Sequence, residues 1–366
     1  MRKAGNGEGS IRNKKRSDGR WEARYTVMID GAWKRRSVFG RTRDEVAKKL
    51  RAALSARDAG AQPVSAKETV ASYLETWLKG AASTLRPRTQ ASYRQIVSDH
   101  LITELGRIPL TRLQPHHVQA LNQRLLSDGK APKTVRNVHL VLHRALEQAV
   151  RWRLVNVNVA HLIDPPRVQP KEMQAFSADE ARQVLAAARG DDLEALWWLA
   201  LTAGLRQGEL LALRWADVDV ERGSVRIVAS MVRIAGQPPQ LGEPKSRRSR
   251  RQVELSAGAL DALRRHRTAN PSIGYVFART DGRPLSVTTT WKRWRRLLAA
   301  AGVRAIRFHD ARHTAATLLL SRGVHPKVVS EMLGHSTVAI TLDVYSHVTP
   351  AMHREAARVM DEVLAP

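Results

Sequence analysis

There is no cysteine among the 366 residues, so disulfides and thiolate metal sites are excluded. There is no long apolar run either. The longest, LEALWWLALTAGL, carries a glutamate and falls short of the roughly 18 residues that mark a membrane helix. Aromatic residues are sparse at 5%, and acids are outnumbered, 34 Asp and Glu against 61 Lys and Arg, for a net charge of +27. With 43% hydrophobic residues the chain is still expected to fold rather than form a basic disordered tail. Such an excess of one sign repels itself unless a polyanion neutralises it, which points to DNA or RNA. An anionic membrane surface is the rival reading, and the missing apolar run argues against it. The opening MRKAGNGEGS is basic but is followed by no apolar segment, so it does not read as a secretory signal. The expectation is an intracellular protein of two or three domains that works on nucleic acid.

Three blocks follow one another along the chain. In the first, Asp18-Gly19 and Asp30-Gly31 are hairpin-turn dipeptides. Between them Trp21, Ala23, Tyr25, Val27 and Ile29 alternate with Glu22, Arg24, Thr26 and Met28, a period-two strand. WKRRSVFG reads as a further strand, and Thr42 with Glu45 as a capping box opening a helix closed by Gly60. A three-stranded sheet backed by one helix is predicted over residues 1–62. Its basic strand residues Arg24, Lys34, Arg35 and Arg36 either form a solvated face or lie in a DNA groove, and the second reading is favoured.

After a linker at Pro63-Val-Ser, residues 66–160 read as a four-helix unit. Pro87 and Pro115 sit where a first helical turn tolerates proline. Val135, Val138, Leu142, Ala145 and Ala149 form an apolar stripe, with Arg136, His143 and Arg144 off it. A second linker, DPPRVQPKEMQ, leads into a mixed α/β block over residues 171–366, where Ser177 and Glu180 make another capping box. There GSVRIV and RQVEL, both strand-like, flank a polar, proline-rich stretch. The fold class expected is multidomain and mainly α with small β-sheets.

Four stretches of the last block are chemically unusual. In TAGLRQGELLAL, Arg206 follows an apolar run and Glu209 lies one helical turn on. The pair is either a structural salt bridge or a carboxylate that aims a guanidinium at a ligand. EPKSRRSRRQVEL places Lys245 at a hairpin tip beside Arg247 and Arg248, which read as phosphate contacts or solvated charge. In FHDARHTAATLLL, His309 and Arg312 share a helix face, whereas His309 with His313 fails the zinc pattern because Asp310 stands where a glutamate is needed. LGHSTVAITLDVYSHV brings His335 and then Tyr345. Alone, that tyrosine is a half-buried packing residue.

Together these residues suit one chemistry. No carboxylate cluster is evident to hold magnesium, so two-metal phosphoryl transfer is disfavoured. Two arginines can instead grip a phosphodiester and stabilise its pentacoordinate transition state, each donor being worth about 2.7–4 kcal/mol. A tyrosine hydroxyl then becomes a usable nucleophile. A lysine would protonate the departing 5′ oxygen, and histidines would hold oxygens or manage the tyrosine proton.

GLRQGELLAL, Lys245, HDARHTAATLLL and LGHSTVAITLDVYSHV resemble, in order, the active-site motifs of the tyrosine recombinase (phage integrase) family. The resemblance assigns catalysis to Arg206, Lys245, His309, Arg312, His335 and the nucleophile Tyr345, with Glu209 in support and no metal or cofactor. The helical block is similar to the family's core-type DNA-binding domain, and the amino-terminal sheet to its arm-type domain. The resemblance implies site-specific recombination through a covalent 3′-phosphotyrosine, integrating a phage or mobile element into double-stranded DNA. It also implies a homotetramer in the synapse, no membrane, and a place in the bacterial cytoplasm, with an excisionase and a DNA-bending host factor as further partners to test. The tail PAMHREAARVMDEVLA is expected to pack on a neighbouring protomer. A type IB topoisomerase shares the chemistry but needs no arm module. A DNA-binding protein that has lost catalysis would not need all six positions.

Overall fold

The computed structural model describes residues 9–29, 32–58, 68–81, 83–169, 173–234, 236–242, 250–271 and 273–345, with the single positions 358, 360, 361 and 364. It divides into two compact units, Met1–Gln169 and Pro170–Pro366. The turn Asp30-Gly31, the linker signal at Pro63-Val-Ser, positions 170–172 of the second linker, Gly60, Lys245, Arg247 and Arg248 lie outside the described residues, as does most of the tail.

The first unit opens with an antiparallel sheet of β1 (Ser10–Ile11), β2 (Trp21–Ile29) and β3 (Ala32–Gly40), in that order. Alternation decides its faces. Ala23 and Val27 are buried, and Ala23 forms a small core with Val46 and Leu50 of helix α1 (Arg43–Asp58). Directly opposed residues share a face, so Val38, Arg36 and Lys34, opposite Ala23, Tyr25 and Val27, stand on the α1 side. Arg24 and Arg35, opposite Ser37 and Thr26, stand on the other side. The four basic strand residues named above are therefore divided between the two faces. Helix α1 starts as its sequence suggests: the Glu45 amide donates to Thr42 Oγ1, although the Glu45 carboxylate takes the Arg41 amide rather than that of Thr42.

The helical part of this unit contains α2 (Val70–Ala81), α3 (Pro87–Ile96), α5 (Pro115–Ser127) and α6 (Pro132–Arg151). Helix α3 runs on through a π-helical turn, Val97–Ile102, into the short α4 (Thr103–Leu105). Proline opens α3, α5 and α6 at a first-turn position, where its missing N–H costs nothing. The α6 stripe is buried throughout, with Arg136 exposed opposite it. Tyr73 ties α2 to α6 by donating its hydroxyl to the Ala145 carbonyl.

The second unit is built around α8 (Glu194–Thr202), which is apolar all round and buried, as expected of a central helix. Helix α7 (Ala178–Ala187) carries the predicted capping box between Ser177 and Glu180. Around α8 stand α9 (Gln207–Ala212), α10 (Ala257–Ala269), α11 (Val287–Ala300), α12 (Asp310–Ser321), α13 (Pro326–Leu333) and α14 (Val338–Tyr345). Trp197, Trp294 and Phe308 form an aromatic cluster at its centre. The small sheet has the order β4 (Val218–Asp219), β5 (Ser224–Ile227), β8 (Arg251–Glu254). The polar stretch between β5 and β8 contains a hairpin of its own, β6 (Ser230–Val232) with β7 (Gln240–Gly242), which the sequence alone does not delimit. Among the described residues no helix is long and apolar enough to cross a membrane.

Candidate active site

The C-terminal end of α13 organises the second unit's site. Backbone carbonyls of a helix's last turn lack intrahelical partners and carry the negative end of its dipole. Here three successive carbonyls are each taken by a different guanidinium. Arg251 Nε donates to Met332 O at 2.6 Å, Arg312 Nη2 to Leu333 O at 2.5 Å, and Arg206 Nη2 to Gly334 O at 2.9 Å. Three segments distant in sequence thereby converge on one turn, and His335 is its next residue.

Two glycines make the convergence possible. Gly334 caps α13 in the left-handed region, with φ +68°, where a Cβ is costly. Gly204, with φ +60°, follows α8 at a point where a Cβ would sit 2.3 Å from a Leu333 methyl. The close approach frees the Gly204 carbonyl to accept Arg312 Nη1 at 2.8 Å. Arg312 is 2% exposed and its pKa falls to about 9, through loss of water first and then the charge of Arg206. It remains a cation at neutral pH.

Arg206 stands at the N-cap of α9 and Glu209 two residues into that helix. The Glu209 carboxylate is fully engaged: Oε1 accepts from Arg206 Nη1 at 2.7 Å and Arg251 Nη1 at 3.2 Å. Oε2 accepts from the Arg206 amide at 3.0 Å and Arg251 Nη2 at 2.9 Å. Four bonds fill a carboxylate's acceptor sites. Burial pushes the Glu209 pKa up, but the bond and charge of Arg251, with Arg206, outweigh it and hold the pKa below the usual value. Glu209 is thus a counter-ion with no lone pair left for substrate. Two of Arg206's five N–H groups are used by Glu209 and Gly334, and its side chain is 35% exposed, leaving donors for a ligand.

The imidazoles are kept neutral. His335 is 8% exposed; dehydration, then Arg312 and Arg206, depress its pKa to about 3. Its Nδ1 shares a 2.8 Å hydrogen bond with Oγ1 of the buried Thr341 on α14. His309 precedes α12, and although one side is open to water, dehydration, His313 and then Arg312 hold its pKa at about 4. With the imidazoles uncharged, three guanidiniums and one carboxylate leave a net charge of +2, suited to an oxyanion.

The structure brings Arg206, Glu209, Arg312 and His335 together, with His309 one turn before Arg312. Tyr345 is the last residue of α14, one helical turn after Thr341. Sequence reading missed Arg251, which is 7% exposed in its side chain yet indistinguishable by composition from its neighbours in RRSRR. It also missed Thr341. Among the described residues no three His, Asp or Glu side chains gather as a metal-binding group.

In the first unit, Glu22 of β2 is buried and draws in Arg24 at 2.8 Å, Arg12 at 3.2 Å and Ser37 at 2.9 Å. The bond from Arg24 leads in pulling its pKa down to about 2, against its burial. Arg24 is accordingly tied to a counter-ion, while Lys34, Arg35, Arg36 and Arg136 are exposed.

A cluster of guanidiniums around one buried carboxylate, with uncharged imidazoles beside it, suits an oxyanion such as a phosphodiester. Comparison with known proteins gives the family. Residues 174–352 match the phage integrase family, and residues 69–126 match the phage integrase N-terminal SAM-like domain. The chain is 28% identical to a tyrosine recombinase XerC-like protein of Caldanaerobacter subterraneus subsp. tengcongensis, covering 93% of this chain and 96% of that one. It is 29% identical to an integrase of Streptomyces ambofaciens, covering 94% and 93%. Its fold is similar to the Tn1549 transposon integrase in complex with a circular intermediate DNA, with a TM-score of 0.70 at 20% identity, covering 81% of this chain and 100% of that one. It is similar also to a lambda integrase tetramer bound to a Holliday junction, with a TM-score of 0.60 at 19% identity, covering 91% and 94%. The chain belongs to the tyrosine recombinase (phage integrase) family, and its enzyme class is site-specific DNA recombinase.

Proposed function

We propose that the chain is an integrase of a phage or mobile element that cuts and rejoins duplex DNA through a 3′-phosphotyrosine on Tyr345. The observation that carries this reading is the cationic cluster at the end of α13, where the buried Arg312 and the partly exposed Arg206 stand beside neutral imidazoles. Arg206 and Arg312 hold the non-bridging oxygens of the scissile phosphate and stabilise the charge that builds in the transition state. Tyr345 Oη attacks phosphorus and the P–O5′ bond breaks. The phenolic proton passes to a neutral imidazole, His309 or His335, and Lys245 supplies a proton to the leaving 5′ oxygen. Rejoining reverses each transfer, so the phosphodiester energy is conserved. Glu209 takes no proton, because its oxygens are all occupied.

Residues 1–62 form the arm-type DNA-binding domain, residues 66–160 the core-type domain, and residues 171–366 the catalytic domain with its tail. Arg35 on one sheet face, and Lys34 and Arg36 on the other, give the arm domain separate contacts to DNA. Arg136, Arg247 and Arg248 contribute phosphate contacts in the other two domains. Four protomers assemble on two duplexes, the tail of each packing on a neighbour, in the cytoplasm of a bacterial host. An excisionase and a DNA-bending host factor act with it.

Recombination between two plasmids, each carrying one end of the element that encodes the chain, in a host-cell extract supplemented with the element's excisionase, tests the reading. In the presence of EDTA and without added ATP, recombinant plasmid is expected. Its absence with both ends supplied, under conditions where the protein binds them, refutes the reading.

A further inference from the structure

The Arg251 guanidinium is as closely engaged in the site as those of the two arginines to which the family resemblance draws attention. Its guanidinium reaches both oxygens of Glu209, at 3.2 and 2.9 Å, and the Met332 carbonyl at 2.6 Å. It comes from a different part of the unit, the first residue of β8, immediately after the segment that contains Lys245. Its stem lies 3.2 Å from where a Cβ on Gly334 would stand, so the cap of α13 is shaped around it. Without Arg251, Glu209 would face Arg206 alone while remaining 4% exposed, and the turn before His335 would lose one of its three tethers.

We infer that Arg251 is a positioning residue for strand cleavage: by clamping Glu209 and the Met332 carbonyl together, it fixes the direction of Arg206 and the place of the turn that carries His335. It touches no reacting atom. Its effect travels through two routes, a carboxylate kept ionised and a helix end kept in place. A guanidinium suits this task because its planar fork can serve the two carboxylate oxygens while Nε reaches a third acceptor. A lysine supplies the charge but only a point contact.

This inference rests on the recombinase reading above, and the experiment separates the two. Full-length protein is incubated in EDTA with supercoiled plasmid carrying the joined ends of the element, between pH 5.5 and 8.5. Covalent protein–DNA adduct is followed with time for wild type, Arg251→Lys, Arg251→Met and Arg251→Met/Glu209→Gln. Each variant is first shown to bind the plasmid and to unfold cooperatively. For Arg251→Met the expected rate loss at pH 7 is about 10- to 100-fold, the worth of a hydrogen bond to a charged group. It should be accompanied by an acid limb that begins at higher pH than in wild type, since a buried carboxylate stripped of its partner holds its proton more tightly. Adding Glu209→Gln should remove that limb, because no carboxylate is left to titrate. Arg251→Lys should keep the wild-type pH profile at a reduced rate, and it supplies the test should Arg251→Met fail to fold. The inference is overturned if Arg251→Met merely lowers thermal stability while rate and pH profile stay as in wild type, or if Arg251→Lys matches wild type in rate. A wild-type protein that yields no adduct on the bound plasmid overturns the recombinase reading itself.

Discussion

Thr341 is the only buried residue described on α14, whose Val338, Ile340 and Leu342 are exposed. Among the described side chains of the helix that ends in Tyr345, the Thr341 hydroxyl ties it to the site, 2.8 Å from His335 Nδ1. Thr341→Val keeps the shape and removes the bond. An imidazole nitrogen left unpaired in a buried site costs about 1–3 kcal/mol. For a unit of this size each kcal/mol lowers the melting temperature by roughly 2–4 °C, so calorimetry should show the second unit melting roughly 2–12 °C lower. If the same free energy is lost from the cleavage transition state, adduct formation slows about 5- to 160-fold. Thr341→Ser, which retains the hydroxyl, should recover most of both losses. A Thr341→Val protein as stable and as fast as wild type would show that the hydroxyl does not hold His335, and the anchoring argument would fall.

Three further outcomes follow from the same geometry. His309 and His335 have folded pKa values of about 4 and about 3 against 6.5 for a free imidazole, so each is neutral in the folded chain and takes up a proton on unfolding. The unfolded chain binds more protons across that window, and stability must fall as pH drops below 6.5. For the buried His335 alone, about 2 kcal/mol is lost by pH 5, which urea unfolding at several pH values would detect; a flat response contradicts the neutral imidazole. Glu22→Gln should release Arg12 and Arg24 and steepen the salt dependence of DNA binding by the isolated or intact arm region, whereas an unchanged slope would show that those arginines do not reach phosphate. Deleting residues 350–366 should weaken recombination and tetramer formation together, and a deletion with full activity and full tetramer would remove the tail from the assembly.

Local signals were readable where a residue's neighbours in sequence are also its neighbours in space. The capping box at Ser177, the strand Trp21–Ile29, the prolines opening α3 and α5, and the pairing of Arg206 with Glu209 are all of this kind. The roles of Arg251 and Thr341 were not, because their partners lie far along the chain or across a turn: Arg251 reaches 81 residues on to Met332. A run such as RRSRR also offers no periodicity to single out the buried member. The sheet faces show a further limit. Alternation along β2 fits the burial of Ala23 and Val27, whereas the pairing that sets Arg24 and Arg35 on one face and Lys34 and Arg36 on the other depends on cross-strand register, which composition alone does not carry. The β6–β7 hairpin escaped notice because three-residue strands in a polar, proline-containing stretch carry almost no pattern.

The central claim is that Tyr345 forms the covalent bond to DNA. The most direct measurement is to trap the adduct on plasmid carrying the joined ends in EDTA, digest both components, and identify the nucleotide-bearing peptide by mass spectrometry, beside Tyr345→Phe. The account predicts a 3′-nucleotide on the peptide containing Tyr345 and no adduct from the variant. An adduct on another residue, or an undiminished one from Tyr345→Phe, would contradict it.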